Sequence, residues 1–375
     1  MKVIHFSDTH LGFSDYSKID PELGINLREA DVYRAFSQVV DYIISTSPDI
    51  VIHSGDLFDT YRPSNRAINF ALKEIARISQ KDIPLVMISG NHSTPRVRTS
   101  GSIFEAFEIL KNVYPVYQSK YQEIIINDVA LHCVPHMATE EELGKAFDGL
   151  KLNNKKKYNV IVAHMGVTAD VQYKMGEFNE LIIPQGALKK KKDFNYIALG
   201  HYHKNLPLTD NCYYSGSTEC FSFNETGQKK GFMEVDLAKN TKQFIPLKTR
   251  AMLSFQPINC KDLSAGGIAD EVESLVKGKT KGNILQVTFN NINKHQYTEL
   301  DLQKLKEITK EAVHLKTVYN WIVEKGKVAT KTAIGTLASE FENFIEGQDI
   351  KDLNKNKLKE LGINYLSLAQ ESEEE

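Results

Sequence analysis

Four cysteines (Cys133, Cys212, Cys220 and Cys260) are scattered over 375 residues, and no two form a CxxC pair. That scarcity excludes a zinc ribbon and a disulfide framework and fits a reducing compartment. No stretch approaches the ~20 apolar residues needed to span a bilayer, so no membrane association is expected. The chain starts MKVIHFSDTH and enters a strand-like run without the apolar core of a signal peptide, so a cytoplasmic location is expected. An excess of either charge is also missing, because the formal net charge is −2. Any binding of nucleic acid must then come from local basic patches or from a partner. What remains is an ordinary globular composition, 41% hydrophobic and 25% charged, in a chain long enough for two or three units.

Short runs rich in Val and Ile occupy 2–6, 49–53 and 84–88. Helix-like segments separate them. Val32, Phe36, Val39, Val40 and Ile43 recur at helical spacing in 29–45. Ile68, Leu72, Ile75 and Ile78 do the same in 64–79, where Ser64 is a plausible cap. The β-rich runs 113–118, 121–126 and 129–134 suggest hairpins. NVIVAH (159–164) and YIALGH (196–201) read as buried strands, and 212–217 and 230–237 as antiparallel ones. The expected class is α/β (α+β), with a two-sheet core and flanking helices over 1–250. A smaller strand-helix pattern over 251–323 reads as an accessory α/β domain. Residues 324–333, rich in Lys and Thr, read as a linker. Beyond it, Leu337, Phe341, Phe344 and Ile345 form an apolar stripe, and a second helix bearing Leu358 and Leu361 ends at Gly362. So short a segment, 334–370, cannot bury these side chains alone, and docking onto a partner is expected. Residues 371–375 read as an acidic tail.

Five stretches place metal-binding side chains directly after apolar strands. They supply Asp8 and His10, then Asp56, then Asn91 and His92, then His164, then His201 and His203. Each alone is a weak signal, but strand C-terminal ends share one edge of an α/β sheet, where ligands bind. Carboxylate, amide and imidazole donors suit Mn²⁺, Fe²⁺ or Zn²⁺, and the lack of thiolates argues against a structural zinc site. Two such ions ~3.5–4 Å apart need a bridging carboxylate and can clamp both oxygens of a displacement at phosphorus. Asp56 is the natural bridge, because Gly55 leaves room for a sharp turn. His92, beside Asn91, is expected to stabilise the phosphoryl transition state and to protonate the leaving oxygen.

DTH, GDLFD, GNH, AHMG and GHYH, in this order and spacing, resemble the motifs of the calcineurin-like metallophosphoesterases. With RP at 62–63, GNHSTPR, and YSGSTECFSFNETGQKKGFMEVDL, residues 1–250 resemble the SbcD and meiotic-recombination nuclease family of double-strand-break repair. Residues 251–323 and the paired C-terminal helices match that family's DNA-capping domain and ATPase-binding helices in layout. The resemblance implies a two-manganese DNA nuclease with 3′-to-5′ exonuclease and single-strand endonuclease activities. It also implies a homodimer working with a coiled-coil ABC-type ATPase. One ion would be held by Asp8, His10, Asp56 and His203, the other by Asp56, Asn91, His164 and His201, with His92 catalytic. The dimer would form through 64–79 and 101–111, where Ile103, Phe104, Phe107 and Leu110 make an apolar face. The chain departs from the family pattern twice. Asp59 stands where many members have His, and Ser93 stands where the superfamily usually has an acid after Gly-Asn-His.

A polyanionic substrate calls for cations around the site. The candidates by sequence are Lys18, Arg28, Arg62, Arg66, Arg96 and Arg98, with Tyr16 available to stack on a base or sugar. Nothing resembles a groove-reading element, so backbone and ends, not sequence, should be recognised. Two other readings are a phosphatase or small phosphodiesterase on the same core, and a non-catalytic scaffold. The accessory domain disfavours the first and the complete ligand set disfavours the second.

Overall fold

Strand alternation decides which face each core residue takes. In β1 (Lys2–Phe6), Val3 points one way and Ile4 and Phe6 the other. In β2 (Ile50–His53) and β3 (Leu85–Ile88), Ile52, Val86 and Ile88 share the side of Val3, while Val51, Leu85 and Met87 share that of Ile4. Both faces are buried, so these parallel strands read as unbroken apolar runs. The computed structural model describes residues 1–94, 101–168, 180–322, 341, 344–345, 355–359 and 361–363.

Two six-stranded sheets make the core. The first runs β14-β13-β1-β2-β3-β4, adding β4 (Val113–Val116), β13 (Gly231–Asp236) and β14 (Thr241–Pro246). Strands β1 to β4 are parallel, and β13 lies antiparallel to β1. The second runs β11-β12-β10-β7-β6-β5. Its strands are β5 (Gln122–Ile126), β6 (Val129–Val134), β7 (Tyr158–His164), β10 (Tyr196–Gly200), β11 (Leu206–Thr209) and β12 (Cys212–Tyr214). Strands β6, β7, β10 and β12 are mutually parallel. Val3, Ile52, Val86 and Val235 of one sheet and Leu131, Val160, Val162 and Ala198 of the other fill the layer between them. A short parallel pair, β8 (Gly166–Thr168) and β9 (Ile182–Pro184), follows β7.

Helices cover the outer faces. α1 (Leu27–Thr46) starts where the Asn26 side chain accepts from the Arg28 and Glu29 amides. α2 (Asn65–Ser79) starts at Ser64, which accepts from the Ala67 amide. Phe36, Val39, Val40, Ala71 and Ile75 pack on the first sheet. α3 (Glu140–Asp148) and α4 (Gln185–Lys189) place Leu143, Phe147 and Leu188 on the second.

Two expectations need correction. Of the runs 113–118, 121–126 and 129–134, only the last two form a hairpin, because 113–118 becomes β4 and pairs parallel to β3. Residues 212–214 pair antiparallel with β11, as expected, and parallel with β10 on the other side. The segment 101–111 holds a 3₁₀ turn, Ile103–Phe107, whose Phe104 and Phe107 are fully buried in the core. Those two rings are therefore not available as a dimer face. Ile109, 81% exposed, is the large apolar side chain this segment presents.

A four-stranded sheet follows, with β17 (Ile284–Ile292) between β15 (Met252–Ser254) and β16 (Ile258–Asn259) and also paired to β18 (His314–Trp321). α5 (Ala265–Val276), α6 (Lys294–Glu299) and α7 (Leu302–Ile308) belong to it, and Ile268, Val272 and Leu305 pack on Val287 and Phe289. Residues 1–320 form one compact unit. Tyr16 stacks on His314 at 4.0 Å between ring centres, and the Lys18 Nζ donates to the Ala312 carbonyl at 2.6 Å. Residues 321–375 form a second unit. In it Phe341, Phe344, Ile345, Leu358 and Leu361 are helical. Ile345 is buried, Phe344 and Leu361 are exposed, and Gly362 sits against the Phe341 ring. Leu337, the 324–333 segment and the 371–375 tail lie outside the described residues.

Arg28 is only 1% exposed, which removes it from the candidates for DNA contact. Its guanidinium donates to Asp31 at 2.7 Å, to Glu219 at 2.8 Å and to the Cys220 carbonyl. Arg250 grips the other side of Asp31 with two bonds, at 2.6 and 2.8 Å, and donates to the Gly282 carbonyl. The charged network thus ties α1 to the loop after β12 and to the start of β17. Removing one partner strands buried carboxylates, so Arg28→Ala should lose about 3–5 kcal/mol in urea unfolding. A loss below about 1 kcal/mol would contradict a structural role.

Candidate metal centre

The sandwich brings five loops together. Three leave the C-terminal ends of the adjacent parallel strands β1, β2 and β3, and two leave β7 and β10 of the facing sheet. Their backbones take uncommon conformations at the donor residues. Asp8, His10, Asp56 and His201 have φ of 50°, 41°, 52° and 109°. Such strain persists only where surrounding contacts fix it. The Asp8 and Thr9 amides donate to the carbonyls of Gly55 and Asp56, which locks the first loop to the second.

Two glycines make the approach possible. Gly55 has φ of 107°, and a Cβ there would fall 2.1 Å from His164 Nδ1. A Cβ on Gly90 would fall 2.2 Å from Asp56 Oδ1. The second contact explains why a glycine precedes Asn91 and His92: their loop lies directly on the Asp56 carboxylate. The His92 amide donates to that same oxygen at 2.9 Å.

Asp8, His10 and His203 bring one ligand atom each within 4.8 Å of the others, and so do Asp8, Asp56 and His164. Asp8 is thus common to both groups. Burial would raise Asp56, but His164, His92 and His10 around its carboxylate hold it well below the usual carboxylate range. Asn91 Oδ1 lies 2.9 Å from His164 Nε2. The ring of His201 packs 5.4 Å from that of His164, and its amide donates to Asp8. Among the described residues, the seven side chains expected as donors therefore lie close together.

The hydrogen bonds decide which atoms face into it. His203 Nδ1 meets the Glu225 carboxylate at 3.0 Å, so Nδ1 carries the proton and Nε2 offers a lone pair. That Nε2 lies 3.1 Å from His10 Nε2. His164 Nδ1 donates to the Ser54 carbonyl at 2.9 Å, so its Nε2 faces Asn91 Oδ1 at 2.9 Å and Asp56 Oδ2 at 3.1 Å, and without metal a proton on Nε2 lies between them. Acceptors facing acceptors repel unless a proton or cation lies between them. Separations near 3 Å also match neighbouring ligands on one ion at about 2.1 Å. The residues fit a divalent-metal centre with two ligand groups.

Several supporting residues escaped the sequence reading. Burial alone would raise Glu225, but the hydrogen bond from His203 and the charge of buried Lys230 pull it down to about 2. Phe221 sets its ring edge-to-face against both His10 and His203, at 4.8 and 5.3 Å. Glu180 lies 3.2 Å from His201 Nε2. The stretch GSTECFSFNETGQKK carries three of these groups, Phe221, Glu225 and Lys230, yet its spacing gave no separate signal of a supporting role. Of the cation candidates, Arg62 is exposed and lies over the Tyr61 ring. Arg66 is exposed but pairs with Glu29 at 3.1 Å, and Arg96 and Arg98 lie outside the described residues.

Residues 1–205 match the family model described as calcineurin-like phosphoesterase. The chain belongs to that family. Within the calcineurin-like phosphoesterases it is similar to proteins named DNA double-strand break repair protein Mre11. It is 28% identical to that of Methanococcus maripaludis over 316 residues, 78% of this chain and 80% of the relative. Against the Methanocaldococcus jannaschii protein it is 27% identical over 97% of this chain and 90% of the relative. Against that of Sulfurisphaera tokodaii it is 35% identical over 54% of this chain, and the match spans about half of the relative, 49%. The calcineurin-like family and the clustered donors together point to a dinuclear divalent-metal site.

Two outcomes follow. Gly90→Ala should push Asp56 aside and cut divalent-metal uptake, measured by equilibrium dialysis, at least tenfold. Burial would lower the His164 pKa, but the Asp56 carboxylate overrides it and raises it to about 9. Metal binding must then displace a proton at pH 7. Calorimetry of Mn²⁺ binding in buffers of different ionisation enthalpy should show about one proton released, with affinity rising as pH approaches 9. Binding without proton release would contradict this arrangement.

Proposed function

We propose that the chain is a dinuclear-metal DNA nuclease subunit of a double-strand-break repair complex, with 3′-to-5′ exonuclease and single-strand endonuclease activities. The observation that carries this reading is the convergence of five strand-end loops on two groups of donors with His92 beside them. The repair proteins to which the chain is similar support DNA as the substrate. Asp8, His10, Asp56 and His203 would hold one ion, and Asp56, Asn91, His164 and His201 the other. Two manganese ions would act as Lewis acids on the phosphodiester and lower the pKa of the attacking water.

The chain's own groups orient and deliver protons. His92 Nδ1 meets the Asp59 backbone carbonyl at 2.8 Å, so Nδ1 is the protonated nitrogen of the neutral ring. A proton given to the leaving oxygen would therefore depart from Nε2 of the imidazolium. Glu225 fixes the tautomer of His203, and the Ser54 carbonyl fixes that of His164. Exposed Arg62 and Arg66, together with Arg96 and Arg98, would contact the DNA backbone and ends. Lys18 and Tyr16 would act from a loop already joined to 312–314.

In this reading residues 1–250 are the nuclease domain, 251–323 the DNA-capping domain and 324–333 the linker. Residues 334–370 would bind a coiled-coil ABC-type repair ATPase, and the exposure of Phe344 and Leu361 supports that role. Homodimerisation would use α2 and the Ile109 surface. No helix among the described residues is long and apolar enough to cross a membrane, which fits action on DNA in the cytoplasm.

The protein with Mn²⁺ should degrade linear duplex DNA and nick circular single-stranded DNA. Cleavage of neither, with good hydrolysis of a small phosphodiester, would favour a phosphodiesterase instead. His92→Ser should retain its metals and lose about 10²–10⁴-fold in cleavage rate. Full activity in that variant would remove His92 from the reaction.

A further inference from the structure

Asp59 lies just past the Asp56 loop, on the far side of His10 from the metal-facing nitrogen. Its Oδ1 is 3.4 Å from His10 Nδ1. That nitrogen is buried and makes no hydrogen bond, and the Asp59 carboxylate is the charged group beside it. The backbone carbonyl of the same residue takes His92 Nδ1 at 2.8 Å. One residue therefore touches two imidazoles of the site, one through its side chain and one through its main chain. The rings of His10 and His92 pack edge-to-face at 4.8 Å, and ligand atoms of His10, Asp59 and His92 all lie within 4.8 Å of one another.

The position is fixed by the fold. The Asp59 amide donates to the Leu11 carbonyl at 3.2 Å, and Leu11 bridges to Phe58. Leu11, Leu57 and Phe58 are almost fully buried, so the loop cannot drift from His10. Ser93, next to His92, offers nothing comparable. It is fully buried, and its hydroxyl has no partner. An acid is absent beside His92 in sequence and present across the site in space.

We propose that Asp59 is a positioning residue. Its carboxylate holds the proton of His10 on Nδ1, which turns the Nε2 lone pair toward the metal and makes it a stronger donor. Its carbonyl sets the tautomer of His92. The inference rests on the dinuclear-metal reading and concerns the ion held with His10.

The test is calorimetric titration of the metal-free full chain with Mn²⁺, with bound metal counted by elemental analysis, for wild type and Asp59→Asn. Asparagine keeps the size and the backbone carbonyl and removes the charge. The wild type should bind two ions. The variant should bind one of them 10- to 100-fold more weakly and the other unchanged. The melting temperature of the metal-free protein should move by less than about 2 °C, because a partly exposed carboxylate without a hydrogen bond contributes little to the fold. Equal affinities for both ions in the variant would overturn the inference and leave the metal centre standing. A third ion in the wild type, lost in the variant, would also overturn it by making Asp59 a direct ligand. Failure of the wild type to take up Mn²⁺ would instead sink the dinuclear reading beneath it.

Discussion

The structure turns on metal-binding atoms held within hydrogen-bond distance of one another. His10 against His203, and His164 against Asn91 and Asp56, bring ligand atoms to within about 3 Å among buried and half-buried side chains. Without metal, protons lie between such atoms, and His164 carries one at neutral pH. The opposite nitrogens are tied to Glu225 and to the Ser54 carbonyl, so the rings cannot turn away. Divalent cations can replace those protons, and the surrounding contacts hold the ligand atoms in place for them.

The fold supplies this crowding through strand direction. Parallel pairing of β1, β2 and β3 lines up their C-terminal ends, and parallel pairing of β7 and β10 does the same across the sandwich. Loops leaving those ends have nowhere to go but toward one another. Glycines allow the last approach, since a methyl group at Gly55 or Gly90 would overlap a donor side chain. The left-handed conformations of Asp8, His10 and Asp56 record the same demand on the backbone.

Much of this was legible before any coordinates. Donors after apolar runs marked the site, because strand ends are where an α/β sheet binds ligands. Ser64 marked the start of α2, because its hydroxyl meets an amide the helix leaves open. What could not be read was anything set by distance across the chain. Phe104 and Phe107 look like one face of a surface helix, yet their segment folds as a tight turn and buries both. Arg28 sits close to the ligands in sequence and is consumed by Asp31 and Glu219, the latter 191 residues away. Glu225 and Asp59 acquire their roles only from the loops opposite them. Spacing reports local periodicity, while tautomers, charge pairing and burial depend on neighbours that the topology brings together.

The central claim is that these loops build one centre for two ions. Anomalous diffraction from crystals soaked in Mn²⁺ tests it most directly. The account predicts two peaks flanking the Asp56 carboxylate, one against His10 and His203 and the other against His164 and Asn91. A single peak, or peaks elsewhere with these side chains unchanged, would contradict it.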